Sequence, residues 1–125
     1  MLCPDSVGAL LVRFPELVAQ IKTWARSPNR WVRRASLVSF IRLARKGDYL
    51  DAIYEISASL FADSDDLIQK ANGWLLREAG KADRQRLEKF LLQHGPEIPR
   101  TTLRYAIERF DEKKRESILL AKRKN

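Results

Sequence analysis

Helix-breaking punctuation recurs along this chain at a nearly constant interval, and that interval limits what the chain can fold into. Phe14-Pro15 opens a first helical stretch to about Arg26, with Leu17, Val18, Ile21 and Trp24 at helical spacing. Ser27-Pro28-Asn29 stops it and offers a cap to a second stretch, which reaches Lys46 before Gly47. Asp48 begins a third through Leu50, Ile53, Ile56 and Leu60. Asp63-Ser64-Asp65-Asp66 leads a fourth, expected to close at Gly80. Asp83 starts a fifth to Gln93, broken by Gly95-Pro96. Thr101 or Thr102 introduces a sixth, and a last helix from about Asp111 decays into a tail at 122–125, read as frayed.

First helices therefore begin near residues 15, 48 and 83, and second helices near 29, 64 and 100. A helix-loop-helix unit of about 35 residues cannot bury its apolar stripe alone, so neighbouring units must stack. The expectation is one all-α domain over residues 1–125, an α-solenoid of helix pairs. An up-down bundle is the alternative.

The charge narrows the function. Lys and Arg number 24 against 16 Asp and Glu, a formal net charge of +8, which suits a polyanionic partner. No apolar run approaches the ~20 residues that span a bilayer. The N-terminal residues lack the regions of a signal peptide. One cysteine, Cys3, and one histidine, His94, leave no disulfide and no zinc site of the usual kind, so neither metal nor other cofactor is expected. A reducing, cytoplasmic setting is the expectation. His94, beside Gly95-Pro96, reads as a loop residue.

Between Leu17 and Gly47 there is no acid, yet Lys22, Arg26, Arg30, Arg33, Arg34, Arg42, Arg45 and Lys46 are present. Self-repulsion there favours a bound anion over a merely solvated face. Trp31, Arg34, Val38 and Ile41 share one helix face. Arg34 interrupts that apolar stripe, so it needs either a carboxylate or an opening onto a cleft. On the fourth stretch, Lys70, Trp74 and Arg77 share a face, and Gly73 sits inside the helix at a cost of ~1 kcal/mol. Close approach of another backbone or of a ligand would account for it. Cations around an aromatic suit a sugar-phosphate chain; a Trp74 that simply fills the core is the other reading.

These two helices also carry a resemblance. TWARSPNRWVRRAS (Thr23 to Ser36) and DLIQKANGWLLREAGKAD (Asp66 to Asp83) resemble the DNA alkylation repair enzymes, HEAT-like glycosylases that remove cationic N3- and N7-alkylpurines. The resemblance runs from about Leu2 to the C-terminal helices. It implies HEAT-like helix pairs in a right-handed α-solenoid, with double-stranded DNA containing alkylated purines as partner. Arg34 and Trp74 match residues lining the family's concave cleft, Arg77 a backbone contact, and Lys70 a position commonly basic. Arg30 and Arg33 complete the expected DNA-binding set.

The family's catalytic aspartate lies in a Trp-Asp-x-Val-Asp-like segment that would precede Met1, and Asp5 does not match it. The chain thus resembles the C-terminal half of the fold. No catalytic residue is assigned, Glu78 included, and glycosylase activity is expected to be weak or absent. Asn72, at a position apolar in the family, suggests a changed packing contact. A non-catalytic α-solenoid adaptor for protein is the competing function. The chain is expected to be a monomer, or a weak dimer through an N-terminal face bearing Leu10, Leu11 and Val12.

Overall fold

The computed structural model describes residues 17–123, and within them every regular element is helical. In chain order these are α1 (Leu17–Trp24), α2 (Arg30–Val38), α3 (Ile41–Lys46), α4 (Leu50–Ser59), α5 (Asp66–Ala82), α6 (Arg84–His94), a 3₁₀ turn (Gly95–Glu97), α7 (Arg100–Ala106) and α8 (Glu112–Arg123). Phe14-Pro15, Cys3, Asp5 and the face expected from Leu10, Leu11 and Val12 lie outside the described residues. α8 reaches one residue past Lys122, where the tail was expected to begin.

The polar punctuation acts as caps. The Asn29 side chain accepts from the Trp31 backbone N–H at 2.9 Å and starts α2. Asp65 caps α5 through the Leu67 N–H at 2.9 Å, and Asp83 caps α6 through the Arg86 N–H at 3.1 Å. Gly47, with φ of 79°, closes α3, where the Asp48 N–H donates to the Leu43 carbonyl at 3.0 Å.

Three boundaries differ from the sequence reading, each for a local reason. The single helix expected over 29–46 is broken at Ser39-Phe40. Both Ser36 and Ser39 turn their hydroxyls back onto carbonyls of the preceding turn, Ser39 onto Ala35, and such back-bonding bends a helix. Gly80 does not end α5, which continues to Ala82. A Cβ at Gly80 would stand 2.4 Å from a methyl of Leu87, so this glycine makes room for α6. Neither Thr101 nor Thr102 caps α7. Helix α7 begins at Arg100, after Pro99, and the Thr102 hydroxyl donates instead to the Gln69 carbonyl of α5 at 2.9 Å.

The long helix α5 is the hub. It packs against α4 and α6, its neighbours in sequence, and against α2, α3 and α7. The second helices of successive units thus lie side by side. Ile68, Leu75, Leu76 and Ala79 of α5 are fully buried with Leu37, Phe40, Ile53, Leu87, Leu91 and Leu103. Buried Asn72 bridges α5 to α4: its side-chain amide donates to the Ser57 carbonyl at 3.0 Å, and its oxygen accepts from the Ser57 hydroxyl at 2.6 Å. The departure at Asn72 is therefore a satisfied buried hydrogen-bond pair. His94 ends α6, its ring 4.6 Å from that of Phe90 and 5.7 Å from that of Phe61.

Gly73 answers its own question. A Cβ there would come within 2.4 Å of Tyr105 Cβ and 2.7 Å of the Thr102 carbonyl oxygen. The close approach is by the backbone of α7, fixed atoms that cannot rotate aside. Gly73→Ala gains about 1 kcal/mol of helix propensity but forces the two helices apart at a cost of about 3 kcal/mol. We expect a net loss near 2 kcal/mol in denaturant unfolding. Wild-type stability for G73A would show that α7 does not press on α5.

Candidate nucleic-acid interface

Arg34 leaves α2 toward α5 and stands half-buried at the junction of two hollows. One, of about 270 Å³, is walled by Arg34, Lys70, Trp74, Arg77 and Tyr105. It draws on the second helix of each unit, α2, α5 and α7. Four residues singled out from the sequence thus meet in one place. The other hollow is apolar, lined by Trp24, Trp31, Val32, Ala35 and Val38 beside Arg34. Trp31 is 59% exposed there.

Among the described residues no carboxylate pairs with Arg34. Among the described residues, the guanidinium in the apolar stripe thus meets a cleft and no carboxylate. Its neighbours are differently placed. Arg77, on the same wall, pairs with Glu108, and its buried Nε has no hydrogen-bond partner among the described residues. Lys70 bonds Asp66 at 2.9 Å one turn back on α5. That bond, together with the negative charge of Asp66, holds the ammonium pKa above its ordinary value. Trp74 packs its inner edge against the core and leaves the rest in the hollow.

Arg30 and Arg33 are not part of this wall. Arg30 Nε lies 2.5 Å from Asp65, and Arg33 Nε lies 2.8 Å from Asp63 while its NH1 donates to the Ser27 carbonyl at 3.0 Å. The Arg30 hydrogen bond is the main cause holding the Asp65 carboxyl below its usual range. Together these pairs tie the start of α2 to the start of α5.

They also correct the charge argument. The acid-free stretch is not left uncompensated: Lys22 pairs with Glu55, Arg30 and Arg33 with Asp65 and Asp63, and Arg45 with Glu78. Partners are 30 to 35 residues away, and Arg77–Glu108 and Arg86–Asp51 follow the same rule. The balancing acids sit one unit along the chain, where a local count does not reach. Glu78 itself is buried and holds both Arg45 and Lys81 at 2.9 Å. It joins α3 to α5.

The sequence reading missed Tyr105. A signal was present: Arg34, Lys70 and Tyr105 follow one another at about one unit length, so each occupies a similar place on its second helix. Among the described residues no three His, Cys, Asp or Glu side chains gather as a metal site, and no helix is long and apolar enough to cross a membrane.

Residues 1–110 match a family model described as DNA alkylation repair enzyme. No curated protein matches the chain.

The Glu78 site gives a pH test. Burial alone would raise its pKa, but hydrogen bonds and charge from Arg45 and Lys81 outweigh burial and lower it. A carboxyl whose folded pKa is depressed contributes stability above its unfolded pKa and loses it as pH falls through the folded one. We expect Glu78→Gln to lower stability at neutral pH by about 1–3 kcal/mol, with the gap to wild type shrinking below pH ~4. A gap that stayed constant down to pH 2 in urea titrations would refute this assignment.

Proposed function

Because the chain belongs to the DNA alkylation repair enzyme family, we propose that the hollow between α2, α5 and α7 grips duplex DNA carrying alkylated purines. It would do so on the inner face of a right-handed α-solenoid of HEAT-like pairs. The observation that carries this reading is Arg34: a half-buried guanidinium facing a cleft, without a carboxylate among the described residues. A cation so placed is partly dehydrated, and a phosphate oxygen supplies both the missing charge and the missing acceptors.

The neighbouring groups support the same ligand. The Arg77–Glu108 and Lys70–Asp66 pairs have exposed carboxylates, and solvent screening keeps such surface pairs weak. Exchanging either carboxylate for a phosphate is therefore cheap. The exposed edge of Trp74 offers an apolar surface to a deoxyribose between two such contacts. Arg30 and Arg33, locked to Asp65 and Asp63, would serve by holding α2 and α5 in register.

The chemistry asked of the family is mild. An alkylated purine is already a cation and leaves readily once the sugar's developing positive charge is stabilised by a carboxylate. Asp66, Glu78 and Glu108 are all held by cations, so residues 17–123 supply grip rather than the chemical step. Phosphate contacts of this kind place the strand without reading bases. A second reading, a protein-binding adaptor, is favoured by the apolar hollow of Trp24, Trp31 and Val38.

Titrating duplex DNA separates the two. For three or four phosphate contacts, affinity should fall on the order of 10²-fold between 50 and 200 mM salt. Arg34→Ala should weaken binding by about tenfold and Trp74→Phe by less, with release of a methylated purine slow for all three proteins. Binding that ignores salt and tolerates R34A would support the adaptor and remove the DNA reading.

A further inference from the structure

A second basic hollow adjoins the first. It measures about 260 Å³ and is walled by Arg77, Lys81, Arg84, Arg109 and Phe110, with no carboxylate in its lining. Three elements meet there: the end of α5, the first residue of α6 and the segment just after α7. Arg77 lines both hollows, so the two adjoin.

We infer that this hollow is a second phosphate subsite, which takes the backbone of the same DNA strand several nucleotides from the contact at Arg34. The inference rests on the DNA reading above and extends it to Lys81, Arg84 and Arg109, which the sequence analysis did not assign to DNA.

The geometry supports a phosphate in three ways. First, the side chains are fixed by different means. The Arg84 guanidinium lies 4.8 Å from the centre of the Phe110 ring, a cation–π contact that sets it in the wall. Lys81 is held by buried Glu78 at 2.9 Å, and Arg77 by Glu108. Second, Arg109 is exposed and pairs with no acid among the described residues, although Glu108 stands beside it in sequence. Glu88 lies 3.3 Å from Lys114 and only 3.9 Å from Arg84, so it offsets part of the Arg84 charge and leaves Arg109 unpaired. The hollow thus keeps a surplus of positive charge after its own pairs are formed.

Third, the spacing fits a strand. Lys70, Trp74, Arg77 and Lys81 follow i, i+4, i+7, i+11 along α5, a stripe about 16 Å long at 1.5 Å per residue. DNA rises about 3.4 Å per base pair along its axis, so the stripe covers roughly five base-pair steps of a duplex lying along it. One contact at each end holds the strand's direction as well as its position.

Arg109→Ala, Arg109→Lys and Arg34→Ala should be titrated with an undamaged and a methylated duplex of 20 base pairs across a salt series, after melting curves confirm that each variant is folded. We expect R109A to weaken both duplexes equally, by about three- to tenfold at low salt, and to reduce the slope of log affinity against log salt by about one. R109K should retain most of the affinity. Wild-type affinity and slope for R109A, with binding lost in R34A, would overturn the second subsite while leaving the first reading intact. Loss of neither would overturn both. If R109A failed to fold, R109K and Arg109→Gln would carry the same comparison, and equal affinity and slope for those two would count against the subsite.

Discussion

The contact between Gly73 and the backbone of α7 sets the dimensions of the hollow between α5 and α7. With no Cβ at that position, the Thr102 carbonyl and the Tyr105 stem settle directly on α5. The Thr102 hydroxyl then reaches the Gln69 carbonyl, which ties the two helices at a second point one turn away. That separation puts Tyr105 beside Lys70 and Trp74, and Glu108 within reach of Arg77. A methyl group at residue 73 would widen the floor of the hollow and loosen the pair that aims Arg77. The helix propensity lost at a glycine, about 1 kcal/mol, is a small cost for that geometry.

Charge performs two tasks here, and they divide along structural lines. Cations paired with acids 30 to 35 residues away join each helix pair to the next. Their energies are modest singly, but they fix register between units whose apolar faces alone would tolerate sliding. Buried Glu78 is the strongest joint of this kind, since it holds one cation from α3 and one from its own helix. The second, proposed task would fall to cations such as Arg34 on α2 and Arg109 just after α7, which pair with no acid among the described residues. Pairing leaves the +8 surplus of the chain intact, and Arg34 and Arg109 are two of the cations that carry it.

Much of this was legible in the residues. Caps at Asn29, Asp65 and Asp83 and the left-handed Gly47 are local chemistry, and they sit where the sequence put them. Arg34 in an apolar stripe and Gly73 in a helix were each inconsistent with their surroundings, and both inconsistencies mark the hollow. What stayed hidden depends on contacts between units. The break at Ser39-Phe40 needs two serine hydroxyls to turn inward, and the role of Gly80 needs Leu87 to lie against it. The acid-free run from Leu17 to Gly47 implied an anion only because its partners lie one unit on. Arg30 and Arg33 illustrate the error: composition could not separate them from Arg34, whereas the neighbouring Asp63 and Asp65 do so at once.

That separation bears on how a lesion would be told from an ordinary base. An N3- or N7-alkylpurine carries a positive charge, and a wall of Arg34, Lys70 and Arg77 repels it. Under the proposed DNA reading, electrostatic attraction in this hollow would act on the phosphates and would be the same for damaged and undamaged strands. It cannot be the source of selectivity. Discrimination has to arise where charge does not oppose the base, along the apolar edges of Trp74 and Tyr105 or in the ease with which a cationic purine leaves its sugar. A grip that held only the backbone would leave that second factor undisturbed: the lesion would be selected by its own lability, with the protein supplying position.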